Sequence, residues 1–308
     1  MNDLAPAVPL PGDGGRASRS GVGEASGVEV RPAATLILVR AGAAPLEVLM
    51  LRRHPASVFA ADAWVFPGGQ VDETDTVFTG TPRTPGFTGT PRTPGDPGGL
   101  GQGLTDAEAS AMLGLASGGL AFWVAAVREC FEEAGILLAR PAGAAAPGAE
   151  PARSFGPVNR LDAARLARHR RDLHAGRKTL AQVLAAEGLL LDLGAVHYVS
   201  HWITPPGDSR RFDTRFFLAA APPAQIASHD AAETVDSIWT TPAAVLRRYA
   251  AGEVRLMFPT IKNLETLALF DTVEQLLEAA RARTAPVVLK ARIGGMRLQP
   301  PPDRSLHA

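Results

Sequence analysis

Apolar residues in this chain come first in short runs parted by Gly- and Pro-rich breaks, and later in longer stretches with helical spacing. Ala34-Thr35-Leu36-Ile37-Leu38-Val39 and Val48-Leu49-Met50-Leu51 flank an Ala/Gly/Pro break at 41–45 and read as two adjacent strands. Ala63-Trp64-Val65-Phe66 reads as a third, stopped by Pro67-Gly68-Gly69. Thr105-Asp106-Ala107-Glu108 has the spacing of a capping box and predicts a helix that closes near Gly118-Gly119. A second helix is expected from Leu120 to Ala134, with Gly135 as its stop. Further helices are expected at 160–174, 178–187, 242–251 and 260–283, and strands at 194–204, 211–220 and 234–240. Strands that surround and interleave with helices imply an α/β class, with a mixed sheet covered on its faces.

The ends and insertions follow a different pattern. Residues 1–29 are Gly, Pro, Ala and Ser with scattered charges, a composition expected of a disordered arm, and 286–308 is expected to be a tail. Another Ala/Pro/Gly loop is expected at 141–157. Between these ends, 30–285 reads as one domain containing an insertion at 76–119. Inside that insertion the nine residues from Phe78 to Gly86 are repeated without change from Phe87 to Gly95. The unit is too short for a solenoid, and its Pro and Gly content predicts a surface loop lengthened by duplication.

Charge excludes more than it suggests. Lys plus Arg and Asp plus Glu are 31 each, so no net field draws the chain to nucleic acid or a membrane. No apolar run approaches the ~20 residues that cross a bilayer, and no basic start with an apolar core marks a secretory signal. The single cysteine, Cys130, excludes an intramolecular disulfide and suits the cytoplasm. Seven histidines lack ligand spacing, so no zinc site is expected. Oligomeric state is not legible.

The chemistry concentrates in Arg128-Glu129-Cys130-Phe131-Glu132-Glu133-Ala134-Gly135-Ile136. With Glu129 at 0° and about 100° per residue, Glu132 falls near 300° and Glu133 near 40°. Trp123, Val127, Cys130, Phe131 and Ala134 fall between about 100° and 200°, which predicts a core-facing side. Arg128 can pair with Glu132 four residues on. Such a helix is either a solvated acidic face or a cluster of carboxylates that a hard divalent cation neutralises. Phe66-Pro67-Gly68-Gly69 favours the second, because two glycines allow close backbone approach and an exposed carbonyl adds an oxygen ligand.

These residues resemble the Nudix box: Gly, five residues, Glu, seven residues, then Arg-Glu-apolar-x-Glu-Glu-x-Gly-apolar. Arg128, Glu129, Cys130, Glu132, Glu133, Gly135 and Ile136 match its second half, and Gly69 opens the first. Asp75 stands where the family has Glu, and 52 residues separate it from Arg128 instead of seven, so the box is interrupted. An interrupted box with Asp resembles the branch of peroxisomal CoA diphosphatases of mammals and their bacterial relatives. The likeness continues in His201-Trp202-Ile203-Thr204-Pro205, Arg211-Phe212-Asp213-Thr214-Arg215-Phe216-Phe217, Glu233-Thr234-Val235-Asp236-Ser237-Ile238-Trp239 and Met257-Phe258-Pro259-Thr260. Other CoA-cleaving Nudix enzymes carry an Arg and a Gly that would fall at Val58 and Asp62, and both are missing. The final residues, Ser305-Leu306-His307-Ala308, are not a Ser-Lys-Leu peroxisomal address.

The resemblance implies an α/β/α Nudix fold and water attack on a diphosphate, assisted by Mg²⁺ or Mn²⁺. It implies Glu129, Glu132 and Glu133 as metal ligands, the Gly69 carbonyl as another, Glu129 as general base and Arg128 as the residue that orients them. Glu233 is either an acid recruited from a later loop or a solvated carboxylate. Arg52, Arg53, Arg210, Arg211 and Arg215 are phosphate contacts or surface charges. Trp202 and Phe216 are core residues or a platform for an adenine. The expected substrate is a small nucleoside diphosphate derivative: CoA or acyl-CoA, or alternatively a dinucleotide or nucleotide sugar. A Nudix domain kept only to bind a ligand is the remaining alternative.

Overall fold

Period-two alternation along one strand lays out the molecule. In the computed structural model, which describes residues 28–57, 60–79, 100–142, 163–223, 225–230 and 233–282, that strand is β1 (Val30–Arg40). Leu36 and Leu38 point into one apolar cluster, Ile37 and Val39 into another. A sheet that is apolar on both faces needs cover on both.

The strands β2 (Glu47–Arg53), β3 (Ala63–Val65), β4 (Gly68–Gln70) and β5 (Gly101–Gln102) come first, followed by α1 (Asp106–Leu113) and α2 (Leu120–Ala134). Then come β6 (Ala139–Pro141), α3 (Ala163–His174), α4 (Leu180–Glu187), β7 (Leu189–Asp192), β8 (His197–Ile203), β9 (Arg211–Ala220) and β10 (Thr234–Thr240). The described chain closes with α5 (Pro242–Ala250), β11 (Arg255–Leu256), α6 (Phe258–Leu267) and α7 (Val273–Arg281). The central sheet runs β11-β3-β2-β1-β9-β8, with β10 paired to β2 and β4 to β1. β1 lies parallel to β9 from Val30↔Arg211 to Val39↔Ala220 and antiparallel to β2 and β4. Helix α2 covers one face, packing Trp123, Val127 and Phe131 on Leu36 and Leu38. α6 and α7 cover the other, with Leu264, Leu276 and Leu277 against Ile37 and Val39. This is the expected α/β/α sandwich, and the five core positions read from α2 are all buried.

Four local expectations change. Pro67-Gly68-Gly69 does not simply end a strand: Gly68–Gln70 forms β4 and pairs with Ala33, Ala34 and Thr35. α1 begins on the capping box at Thr105 but ends at Gly114, where a left-handed φ of +70° stops it before Gly118. The stretch 260–283 is two helices, because Thr272 accepts from the Gln275 N–H and starts α7 afresh. A second sheet, β5-β7-β6, comes from runs of only two to four residues, below the length at which alternation is legible.

The expected arm, tail and most of the 141–157 loop lie outside the described residues, as does the repeat beyond Thr79. The head of the repeat is described: Phe78, in a 3-10 turn over Glu73–Thr79, is buried in the cluster around α2.

Candidate active site

β4 and α2 approach each other because two side chains are missing. A Cβ on Gly68 would stand 2.6 Å from the Ala34 carbonyl oxygen, and one on Gly69 would stand 2.4 Å from a carboxylate oxygen of Glu129. Gly68 is therefore required for the close approach of β4 to β1, and Gly69 leaves the space that the Glu129 carboxylate occupies. The gap they leave is filled by glutamates. Glu133 is buried, its Oε2 accepts from the Gly68 N–H at 3.0 Å, and its buried Oε1 has no partner among the described residues.

Arg128 is the hub of the site. Its Nε and Nη2 donate to the two oxygens of Asp75, both at 2.9 Å, and Nη2 also donates to the Gln70 carbonyl at 2.8 Å. Nη1 reaches Glu129 at 2.8 Å and, more weakly, Glu132 at 3.4 Å. The expected pair with Glu132 exists, but the main anchor is Asp75, which is buried and bidentate. Thus the shortened acid of the interrupted box fixes the arginine, and the arginine fixes two glutamates.

Burial shapes the charges. It pushes the Glu129 carboxyl up to about 7, against the pull of Arg128, and raises Glu132 in the same way. Glu133 is driven well above the ordinary carboxylate range by burial and then by the Glu129 charge. Asp75 is also raised by burial, with Arg128 opposing. Burial works against the Arg128 cation too, but Asp75 outweighs it and holds the guanidinium protonated. A group of carboxylates this unfavourable as anions is one that added positive charge would stabilise.

The other candidates divide by strand parity. Arg53 shares the face of Leu51 and Leu49, under α2; its charge acts on Glu133, and its buried Nε has no partner among the described residues. Arg52 lies on the opposite face, paired with Asp62 at 2.6 Å. Glu233 is exposed, receives the His54 N–H on its carbonyl at 2.8 Å, and its charge reaches Glu133. Arg215 is buried against Phe122 and bonded to Asp213, Arg211 donates to the Thr204 carbonyl at 3.1 Å, and Arg210 is exposed. Trp202 and Phe216 are core residues of the face opposite α2. The charges of Arg53 and Glu233 thus act on Glu133, whereas Arg52, Arg211 and Arg215 have protein partners. Sequence reasoning passed over the Gly68 N–H and the Gln70 carbonyl, because backbone groups leave no signal in residue identity.

Among the described residues, no three His, Cys, Asp or Glu side chains converge into a ready-made cation cage. Glu129 and Glu132 lean on Arg128, and Glu133 leans on Gly68. The donor set nonetheless fits a hard divalent ion: oxygen ligands only, one buried oxygen already without a partner, and glycine rather than a side chain against Glu129.

Similarity to known proteins places the chain in a family. The family model for the NUDT19 Nudix domain matches residues 30–267. The chain is 32% identical over 278 residues to the acyl-coenzyme A diphosphatase NUDT19 of Gallus gallus, covering 84% of this chain and 72% of that relative. Against the protein of the same name from Homo sapiens it is 29% identical over 276 residues, covering 82% and 70%. A NUDIX hydrolase from Alicyclobacillus acidocaldarius superposes with a TM-score of 0.60 at 26% identity, covering 82% of this chain and 97% of that one.

Proposed function

This chain belongs to the NUDT19 Nudix domain family, and from that premise we propose that it hydrolyses the diphosphate linkage of CoA or an acyl-CoA. The products would be a phosphopantetheine and a 3′-phosphorylated adenosine monophosphate. The family match carries the substrate class, and the observation that carries the cation site is Glu133: a buried carboxylate with one oxygen lacking a partner among the described residues. A fold tolerates such a group where a ligand completes it.

Glu129, Glu132, Glu133 and the Gly69 carbonyl would hold the cation, Mg²⁺ or Mn²⁺. A divalent ion held there would supply positive charge to offset the charge that develops on the diphosphate. Glu129 acts as general base: it takes a proton as water oxygen bonds to phosphorus, and the bond from phosphorus to the bridging oxygen breaks. Arg128 touches no reacting atom; tied to Asp75, it positions Glu129 and Glu132. Arg53, whose charge acts on Glu133, is the candidate phosphate contact. Glu233, whose charge acts on Glu133, is the candidate acid from a later loop. We place these roles in one domain spanning 30–285. Cytoplasmic location is proposed from the lone, buried Cys130; among the described residues no helix is long and apolar enough to cross a membrane.

Asp62, where the glycine of the CoA signature would fall, adopts a left-handed φ of +62° and pairs with Arg52. Incubation with Mg²⁺ and a panel of CoA, acyl-CoA, dinucleotides and nucleotide sugars, with product identification, tests the reading. Cleavage of CoA or acyl-CoA at the diphosphate is expected. Turnover confined to the other compounds would move the substrate, and turnover of none would leave a binding module.

A further inference from the structure

The last four carbonyls of a helix have no intrahelical donor, and Glu132 and Glu133 stand in that final turn of α2. Arg170 of α3 supplies the donors. Its Nε donates to the Glu132 carbonyl and its Nη2 to the Glu133 carbonyl, both at 2.6 Å. The guanidinium thereby also meets the negative end of the helix dipole. His174, one turn further along α3, shares the Glu132 carbonyl at 2.8 Å. Gly135 leaves the space: a Cβ there would stand 3.2 Å from Arg170 Nη1.

The remaining nitrogen of Arg170 reaches a different segment. Nη1 donates to Ser228 Oγ at 3.0 Å and to the His229 carbonyl at 3.4 Å, while the Ser228 N–H returns to the Ala134 carbonyl at 3.0 Å. Asp230 follows; burial works against the Arg170 cation and the Asp230 charge opposes that in part. The Asp230 carboxylate accepts from the N–H of Glu233 at 3.1 Å, the N–H of Thr234 at 2.8 Å and the Thr234 hydroxyl at 2.8 Å. One planar guanidinium thus ties the end of the glutamate helix to the segment that sets Glu233.

We propose that Arg170 is a positioning residue that keeps Glu132 and Glu133 in register with Glu233 and so sets the affinity for the divalent cation. The proposal rests on the reading of Glu129, Glu132 and Glu133 as cation ligands. Groups one step behind metal ligands typically change metal affinity or activity by ~10–100-fold when removed. Lysine keeps the charge but is a point donor and cannot span two carbonyls and a hydroxyl at fixed angles.

Full-length wild type, Arg170→Met and Arg170→Lys would be titrated with Mg²⁺ alone, following the melting temperature, and then assayed on CoA. Arg170→Met should raise the Mg²⁺ concentration for half-maximal stabilisation roughly tenfold or more and lower kcat comparably. KM should stay within about twofold, since no substrate contact is lost. Arg170→Lys should recover part of both losses. A lower melting temperature with the wild-type Mg²⁺ half-saturation would make Arg170 a mere brace and overturn the inference. If Arg170→Met does not fold, Arg170→Lys decides by the same criterion: a raised half-saturation supports the inference and an unchanged one overturns it. Wild type without any Mg²⁺ response would overturn the ligand reading itself; a response carried unchanged into the variants overturns only the role of Arg170.

Discussion

Under α6, the sheet buries Ser200 and Asn263 in a closed chain. Trp202 Nε1 donates to Ser200 Oγ at 3.2 Å, Ser200 to Asn263 Oδ1 at 2.8 Å, and Asn263 Nδ2 to the Pro259 carbonyl at 2.8 Å. Under α2, the opposite face buries Arg128, Asp75 and Glu133, and there the pairing stays open: Glu133 Oε1 and Arg53 Nε lack partners among the described residues. Neutral groups that satisfy one another contribute modestly to stability, whereas an unpartnered buried charge opposes folding. Among the described residues the two faces therefore differ in charge and in closure: neutral groups complete one another under α6, and charged groups keep unpartnered atoms under α2.

Glu133→Gln should sharpen the contrast most. Hydrolysis is expected to fall on the order of 100-fold or more, while stability without metal stays equal or rises, because a buried charge has gone. Mg²⁺ stabilises the wild type by RT ln(1 + [L]/Kd), and that gain should shrink in the variant. Melting curves with and without Mg²⁺ check this, and equal metal responses with hydrolysis retained would remove Glu133 from the site. Asp75→Asn should act on stability as well as on turnover, lowering stability by about 3 kcal/mol in urea titrations, because Arg128 loses its bidentate counter-charge. A loss below ~1 kcal/mol would show that Glu129 and Glu132 suffice as counter-charges.

On the other face, Asn263→Ala should destabilise by ~1–3 kcal/mol by stripping Ser200 and the Pro259 carbonyl of a partner. Its kcat and Mg²⁺ requirement should match wild type, and a shifted metal requirement would break the distinction between the faces. The smallest effect is expected from removing one nine-residue copy of the repeat. Loop closure changes by ~0.6 kcal/mol per doubling of length, so stability and turnover should hardly move. A large fall in turnover with the fold intact would assign the loop a substrate contact.

What was legible follows from the range of the interactions involved. α2 runs from Leu120 to Ala134 as read, because a 3.6-residue period and a Gly stop are local signals. The gathering of Glu129, Glu132 and Glu133 on one side follows from the same period. β4 was hidden because Gly68 and Gly69 carry no strand propensity, and only β1, distant in sequence, makes them a strand. The role of Asp75 was hidden likewise, since its tie to Arg128 spans 53 positions. Arg52 and Arg53 look equivalent in sequence, yet strand alternation sends one to Asp62 and the other to Glu133. The break between α6 and α7 was missed for want of Pro or Gly, although Thr272 with Gln275 three residues on is a readable start.

Phe78 leads its copy of the repeat and is packed into the cluster around α2, while Phe87 leads the next. Deleting either copy yields the same protein, and adding another leaves position 78 as it was. Loss or gain of one whole unit therefore keeps a phenylalanine at position 78, the position packed beside α2.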